Sequence, residues 1–595
     1  MIQLQTRWCQ TVDKSNPLPE YPRPHMVRDS YLNLNGEWEY CINESEEVQA
    51  YDGKIVVPFS PETLLSGVQK IVRPEDYLHY KKVFQIPAGF QKSRVLLHFD
   101  GVDQECQVWL NGTELGYHKG GYLPFVFDIT EGLQAGDNVL TLRVKDWTEQ
   151  SPHARGKQKL VKKGRLSSLF YTPQSGIWKT VWLESVPEDY INDIKITPLY
   201  DDAAVKIQVL ATGAAGSAPR EVQIQILDGG RLLAEAEGKS DSDIAIDLAD
   251  FEAWAPENPK LYDVTVIMGE DRIESYFGMR KVSVGRDKRG LLRFCLNNKP
   301  FFFNGVLDQG YWPESLLTAP CEEALIYDIE KMKDLGYNTI RKHIKVEPER
   351  FYYHCDRLGM LVWQDMPNGG GEYNMFFVAY LTNGFDRFAR GIKDSHYSWF
   401  KRTDKAGRDQ YYEDLAGMVS LLYNHPSIVT WVPFNEGWGQ FDAAKATELI
   451  RSLDSTRLVN EACGWFDQQG GDMYSIHNYI RKLKVKPQDR VVALTEYGGY
   501  AYPVPGHMAC EKEFGYQHYR SMEELTANYQ KLWEEQIYPN LEKGLSSAIY
   551  TQTSDIEEEI NGLMTYDREI DKLTPEVVRA LNRRLYEQFA GLSGD

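Results

Sequence analysis

The stretch Ile428 to Gln440, IVTWVPFNEGWGQ, starts as an unbroken run of apolar and β-branched residues and ends in an amide and a carboxylate, Asn435 and Glu436. A run with no polar alternation is the pattern of a strand buried on both faces, as in a parallel sheet covered by helices. Such a strand has no solvated side, so a polar pair at its C-terminal end needs a site to open onto. Gly437 and Gly439 permit a tight turn just beyond it, and Trp431, Phe434 and Trp438 set aromatic rings around the carboxylate. Rings of this kind offer the apolar faces on which a sugar can lie.

The same design recurs on both sides. Eight segments read as strands: FFFNGV (301–306), NTIRKH (338–343), LVWQD (361–365), IVTWVPFNE (428–436), LVNEA (458–462), YSIHNY (474–479), VVALTEY (491–497) and SAIYTQ (547–552). Helical patterns separate several of them, clearest in EEALIYDIEKMKDLG, EPERFYYHCDRLG, FDAAKATELIRSLD and ANYQKLWEEQIYPNLEKG. Eight strand-helix units in about 300 residues match a (β/α)8 TIM barrel over 285–595. An open doubly wound sheet is the competing reading, but the glycine-rich phosphate turn it would carry, G-x-G-x-x-G, is missing. Residues 366–425 form a long insert after the third strand, expected to hang over the C-terminal face of the barrel.

Polar residues collect at the ends of these strands: Arg341 and His343, Asp365, Asn435 and Glu436, His477 and Asn478, and Glu496. In a barrel those ends form one rim, where the chemistry sits. Any one of them could be a loop cap or a surface charge; the set is harder to explain that way.

Ahead of the barrel the grammar is strand-turn-strand. Alternating segments such as RVLLHFDGVDQECQVWLNGTEL, with a hairpin signal at Asn111-Gly112, predict a jelly-roll β-sandwich over 1–185. Some seven short strands over 186–284 predict an immunoglobulin-like β-sandwich. The fold class expected is therefore multidomain, β followed by α/β.

Composition narrows the partners. A formal charge of −20 over 595 residues argues against nucleic acid or an anionic membrane surface. No apolar stretch is long enough to span a bilayer, and the N-terminus has no secretory pattern. The expectation is a cytoplasmic protein if residue 1 is native, periplasmic or secreted if a signal peptide preceded it. The eight cysteines are scattered, and we read them as free thiols. Aromatic residues make 12% of the chain, an excess that suits a carbohydrate substrate. No compact metal-ligand spacing is visible, and no cofactor is expected.

Together these motifs resemble glycoside hydrolase family 2, the family of β-galactosidases, β-glucuronidases and β-mannosidases. The resemblance rests on FDGVDQECQVWLNG, GGYLPFVFDIT and PQSGIWKTVWLE in the first region and on WAPENPKLY and YFGMRKV in the second. In the third it rests on FNGV, LGYNTIRKH, CDRLGMLVWQD, NHPSIVTWVPFNEGW and TEYGG, in that order. It implies that Glu436 is the acid/base and Glu496, 60 residues later, the nucleophile of a retaining exo-β-glycosidase. It further implies Asn435 on the sugar 2-hydroxyl, Arg341 as the positive partner of Glu496, and Tyr479 bonded to the nucleophile. His343, Asp365, Trp438, His477 and Asn478 are the expected sugar-binding set. Burial among aromatic rings is expected to raise the pKa of Glu436 and keep it protonated.

Departures from the family pattern bear on the glycone. The β-glucuronidases carry an Asn-x-Lys carboxylate clamp after the eighth strand, where this chain reads Glu559, Ile560, Asn561. His343 follows Arg341 by two residues, not three, and Tyr550 stands where many relatives have Trp. β-Galactosidase is the leading expectation, with β-glucuronidase, β-mannosidase or arabinosidase as alternatives. From another class comes a catalytically silent carbohydrate-binding protein, which the retention of both Glu436 and Glu496 disfavours. The first sandwich is expected to be structural or to lend a loop to the site. The acidic run TSDIEEE (553–559) reads as a solvated loop. Homo-oligomers are common in the family, and the residues leave that open.

Overall fold

The computed structural model describes residues 4–160, 169–213, 218–382 and 386–593. The first region is a β-sandwich. Four antiparallel strands (Leu32–Asn33, Val181–Val186, Arg94–Phe99, Phe125–Asp128) lie over a six-stranded antiparallel sheet built from Gly36–Asn43, Gly53–Val57, Tyr77–Phe84, Glu105–Leu110, Thr113–Lys119 and Asn138–Lys145. Along Asn138–Lys145 residues alternate between buried and half-buried, as a strand with one face on a core must. Trp38, Tyr80, Leu97, Phe99, Val108 and Leu142 meet in that core.

A second sandwich follows, with three strands (Tyr190–Leu199, Ala204–Thr212, Asp243–Asp247) against four (Glu221–Asp228, Arg231–Lys239, Tyr262–Met268, Asp271–Phe277). Its core is mostly β-branched: Ile194, Ile196, Val205, Ile207, Ile224, Ile226, Val264 and Val266.

The N-terminal thirty residues, grouped with the first sandwich in the sequence reading, bond it through Pro17 and Ser30 and also reach the other two regions. Leu4 packs in the core of the barrel and Met26 in that of the second sandwich. Thr6 donates its backbone N–H to Glu314. Arg28 joins Glu184 of the first sandwich to Asp271 of the second through fully buried ion pairs at 2.9 and 2.8 Å. This segment thus staples the three regions.

The third region is a ring of eight parallel strands. In chain order they are Phe303–Asp308, Thr339–Lys342, Leu361–Asp365, Ile428–Val432, Leu458–Val459, Met473–Asn478, Val491–Gly498 and Leu545–Thr551. The ladder runs from the fifth strand back to the first and on through the eighth, seventh and sixth, open only between fifth and sixth. Helices Glu322–Asp334, Glu349–Leu358, Lys405–Leu421, Ala443–Leu453, Met522–Leu532 and Pro575–Ser593 cover its outside. Trp363 and Trp431 are fully buried, and burying a large apolar side chain contributes about 1.5–3 kcal/mol. The connections 460–472 and 479–490 contain no helix where this fold ordinarily places one, and the outward residues Tyr474, Ile476 and Asn478 of the sixth strand are half-buried.

Candidate active site

Glu436 projects from a strained turn. It has φ +52°, and Gly437 and Gly439 follow at +75° and +66°. A side chain at 437 would meet the Phe466 ring at 2.4 Å, and one at 439 the Gly369 carbonyl at 2.1 Å, so both positions require glycine. The turn is pinned by the Glu436 N–H on the Cys463 carbonyl at 2.8 Å. A left-handed non-glycine residue costs about 1–3 kcal/mol and persists where its surroundings enforce it. Here it aims a carboxylate across the mouth of the barrel.

Glu496 reaches the same mouth from the seventh strand. One oxygen accepts from Arg341 Nη1 at 2.8 Å and the other from the Tyr479 hydroxyl. The Tyr479 ring lies flat on Tyr516, centroids 3.7 Å apart. Arg341 has no solvent exposure and ties its own strand to the third, the seventh and the turn after the fourth: Nε and Nη2 donate to Asp365 at 3.0 and 2.8 Å, Nη2 to Asn435 Oδ1 at 2.8 Å, and Nη1 also to the Thr495 carbonyl at 3.2 Å.

His477 stands between the two carboxylates, its Nδ1 2.6 Å from Glu436 Oε1 and 3.6 Å from Glu496 Oε2. One donor atom from each of the three residues lies within 4.8 Å of the others. Its Nε2 is 3.2 Å from Cys463 Sγ. Burial by itself would lower the pKa of this imidazole; the charge of Glu496, Cys463 and the hydrogen bond to Glu436 outweigh burial and raise it to about 10.

The expected protonation of Glu436 is reversed. Burial does push its pKa up, but the His477 hydrogen bond and charge, the Trp438 indole N–H at 3.1 Å and the charge of Lys157 bring it below the ordinary value. Trp438 presents its donor edge to the carboxylate, and a donor favours the ionised form. The proton of the pair therefore rests on His477.

Other side chains fall in four groups. His343, Trp438, Tyr479 and both glutamates line one pocket. His343 is neutral, because burial and the nearby Lys157 charge hold its pKa well down. Its Nδ1 lies 2.9 Å from Asp365, an arrangement in which Nδ1 carries the proton and Nε2 is free to accept. Asn435 and His477 lie just behind the wall. Asp365, read as a sugar ligand, is not among the lining residues; it is 1% exposed and committed to Arg341 and His343. Asn478 points outward, since alternation along the strand places 477 inside and 478 outside; its amide bonds the Arg481 carbonyl and Gln536.

Several lining residues were not singled out in the sequence. Lys157, Leu169 and Phe170 come from the first sandwich. That segment docks on the barrel through Arg155 and Gly156 N–H groups on the Asn368 carbonyl. Phe170 and Tyr373 frame Trp438 edge-on, with centroids 5.5 and 5.2 Å away. The acidic run is not solvated: Asp555, Glu557, Glu558 and Glu559 are all buried. Asp555 is paired with Lys572 at 2.7 Å, and Glu559 lines the pocket while accepting from Tyr171 and from Asn561 at 3.1 Å. Acidic character alone could not reveal partners 17 and 388 residues away.

Comparison with known proteins agrees across the chain. The model for the sugar binding domain of glycosyl hydrolases family 2 matches residues 47–187, the family's second model 189–280, and its TIM barrel model 289–572. A β-galactosidase of Thermoanaerobacter pseudethanolicus is 24% identical over 519 residues, 81% of this chain and 62% of the relative, so the chain spans under two thirds of that protein's length. A β-glucuronidase of Streptococcus agalactiae is 24% identical over 81% of this chain and 84% of its own. Among solved structures, a β-glucuronidase of Dictyoglomus thermophilum superposes with a TM-score of 0.73 at 18% identity, covering 95% of this chain and 98% of that one. A β-galacturonidase of Eisenbergiella tayi gives 0.72 at 18%, covering 95% and 99%. With three consecutive family models accounting for both sandwiches and the barrel, the chain belongs to glycosyl hydrolases family 2.

Proposed function

We propose that the protein is a retaining exo-β-glycosidase that removes a terminal sugar by double displacement, with Glu496 as nucleophile and Glu436 as acid/base. The observation that carries this reading is the approach of the two carboxylates within 4.8 Å through His477, in keeping with the roughly 5–5.5 Å carboxyl separation of retaining enzymes. Their partners differ: Glu496 faces Arg341 and Tyr479, Glu436 faces an imidazolium. Glu496 attacks the anomeric carbon. The proton for the departing oxygen passes from His477 Nδ1 to Glu436 across their hydrogen bond and on to the leaving group. Glu436 then takes a proton from the water that releases the sugar, returning the β-configuration.

His477→Asn tests the proton's origin. Glu436 and His477 together hold one proton up to about pH 10. Without the imidazole that limit disappears, so the alkaline limb of kcat/KM should move to lower pH by more than about one unit. The shift should be largest for substrates with poor leaving groups. An unmoved limb would mean that His477 does not hold the catalytic proton.

For the glycone, a neutral sugar, and galactose first, is favoured by Glu559. It lines the pocket near where a glucuronidase would place a lysine, and a uronate left facing it unpaired would lose several kcal/mol. Lys157 favours a second reading, a uronate-specific enzyme, being the one Lys or Arg lining the pocket among the described residues. A panel of p-nitrophenyl α- and β-glycosides decides between them. The expected outcome is turnover of the β-galactoside well above the β-glucuronide, and the opposite order would assign Lys157 to a carboxylate.

A further inference from the structure

Cys463 touches both Glu436 and His477. Its backbone N–H donates to the Phe434 carbonyl and its own carbonyl accepts from the Glu436 N–H, each at 2.8 Å, so the turn that aims the carboxylate is tied to this residue. Its Sγ lies 3.2 Å from Nε2 of His477, whose Nδ1 is 2.6 Å from Glu436 Oε1. Gly464, next in the chain, backs the imidazole: it has φ +87°, and a side chain there would meet the His477 ring at 2.9 Å. Ser475 stands two residues before His477, on the same side of the sixth strand. Its Oγ accepts from the Gly464 N–H at 3.0 Å and lies 3.6 Å from the Cys463 sulfur, which holds this short clamp against the strand that carries the ring.

We infer that Cys463 is a positioning residue for the acid/base step, its sulfur accepting the Nε2 proton of His477 so that Nδ1 stays aimed at Glu436. The inference rests on the role proposed above for His477 and deepens it by naming what holds the ring. Nδ1 faces the carboxylates of Glu436 and Glu496 at 2.6 and 3.6 Å; an ionised carboxylate only accepts, so Nδ1 carries a proton. Around the ring stand Glu436 on the turn after the fourth strand, Glu496 on the seventh strand and Cys463 after the fifth. Beyond them lie Arg341 and His343 at the second strand, Asp365 at the third and Tyr479 at the sixth. Among the described residues only the Cys463 sulfur is hydrogen-bonded to Nε2. When Nδ1 hands its proton to Glu436, the neutral ring keeps the one on Nε2. The sulfur is therefore needed before and after the transfer, because a buried N–H without an acceptor is costly.

Cys463→Ala and Cys463→Ser separate the sulfur's role from that of the backbone, which both variants keep. In Cys463→Ala the Nε2 proton loses its acceptor and the charged ring is disfavoured, so the alkaline limb of kcat/KM should fall by about one pH unit. KM should stay within about twofold of wild type, since Cys463 is not among the residues lining the pocket. Cys463→Ser returns an acceptor and should bring the limb back to within about 0.3 unit. Nitrogen-15 NMR of labelled histidine reads the same bond without turnover. In wild type at about pH 8 both ring nitrogens of His477, assigned by their loss in His477→Asn, should carry protons; the pH at which one is lost should fall in Cys463→Ala and recover in Cys463→Ser. An unprotonated Nε2 in wild type would overturn the assignment, because the thiol would then be the donor, and that spectrum does not depend on the folding of Cys463→Ala. A limb that Cys463→Ala leaves in place, or that both variants move alike, would also overturn it and reduce the sulfur to packing. If His477→Asn moves the limb and Cys463→Ala does not, the positioning role fails while the proposed mechanism stands. Inactivity toward every glycoside would remove the mechanism, and the nitrogen shifts would still decide the bond.

Discussion

Glu496→Gln is expected to lower turnover of every substrate by more than about a thousandfold, because no glycosyl-enzyme can form without the carboxylate. Glutamine keeps the size of the side chain and can still accept from Arg341, whose guanidinium also retains Asp365 and Asn435. The fold should therefore survive, and an unchanged melting temperature would separate chemistry from unfolding. Alanine is the harsher test, since it leaves one of the donor groups of a buried arginine without its acceptor. A slow, activated 2-deoxy-2-fluoro glycoside should label wild type, and the modified peptide should contain Glu496. A label on another carboxylate, or residual activity within about tenfold of wild type, would remove Glu496 from its role.

How much of this was legible beforehand follows from what sets each feature. Strand ends were readable because a barrel strand is apolar until it reaches the rim, so Arg341, Asn435, Glu436 and Glu496 announced themselves by ending apolar runs. The sandwiches were readable from period-two alternation. The roles of Asp365 and Asn478 were not, since one side chain is consumed by Arg341 and His343 and the other is turned outward by a single step of the pleat. Lys157 and Phe170 stand outside any regular strand, and their place at the pocket depends on a sandwich docking on a barrel. The protonation of Glu436 is set by a histidine 41 residues further on, a pairing that no local pattern carries.

Glu436→Ala should fail differently from Glu496→Gln, and the difference is the sharper test of the Asn435-Glu436 turn. An aryl glycoside with a good leaving group needs little protonation, so Glu496 can still displace it and glycosylation persists. Release of the sugar then lacks its general base, so the intermediate accumulates and a burst of phenol should precede a slow steady state. With natural disaccharides the leaving oxygen requires the proton, and loss should reach about two to four orders of magnitude. Azide should restore the rate on the aryl substrate by attacking the intermediate without base assistance, giving a β-glycosyl azide. The pH profile should flatten on the alkaline side, because His477, its pKa raised by Glu496, Cys463 and Glu436, would no longer have Glu436 to pass its proton to. Removing Glu436 takes one acceptor from the imidazolium and leaves Glu496 3.6 Å away, so the ring should keep part of its raised pKa while losing its catalytic consequence. That separates a proton held from a proton delivered. Near-normal activity of Glu436→Ala on disaccharides, or rescue giving an α-configured azide, would mean that the carboxylate at the end of the fourth strand does not perform acid/base chemistry.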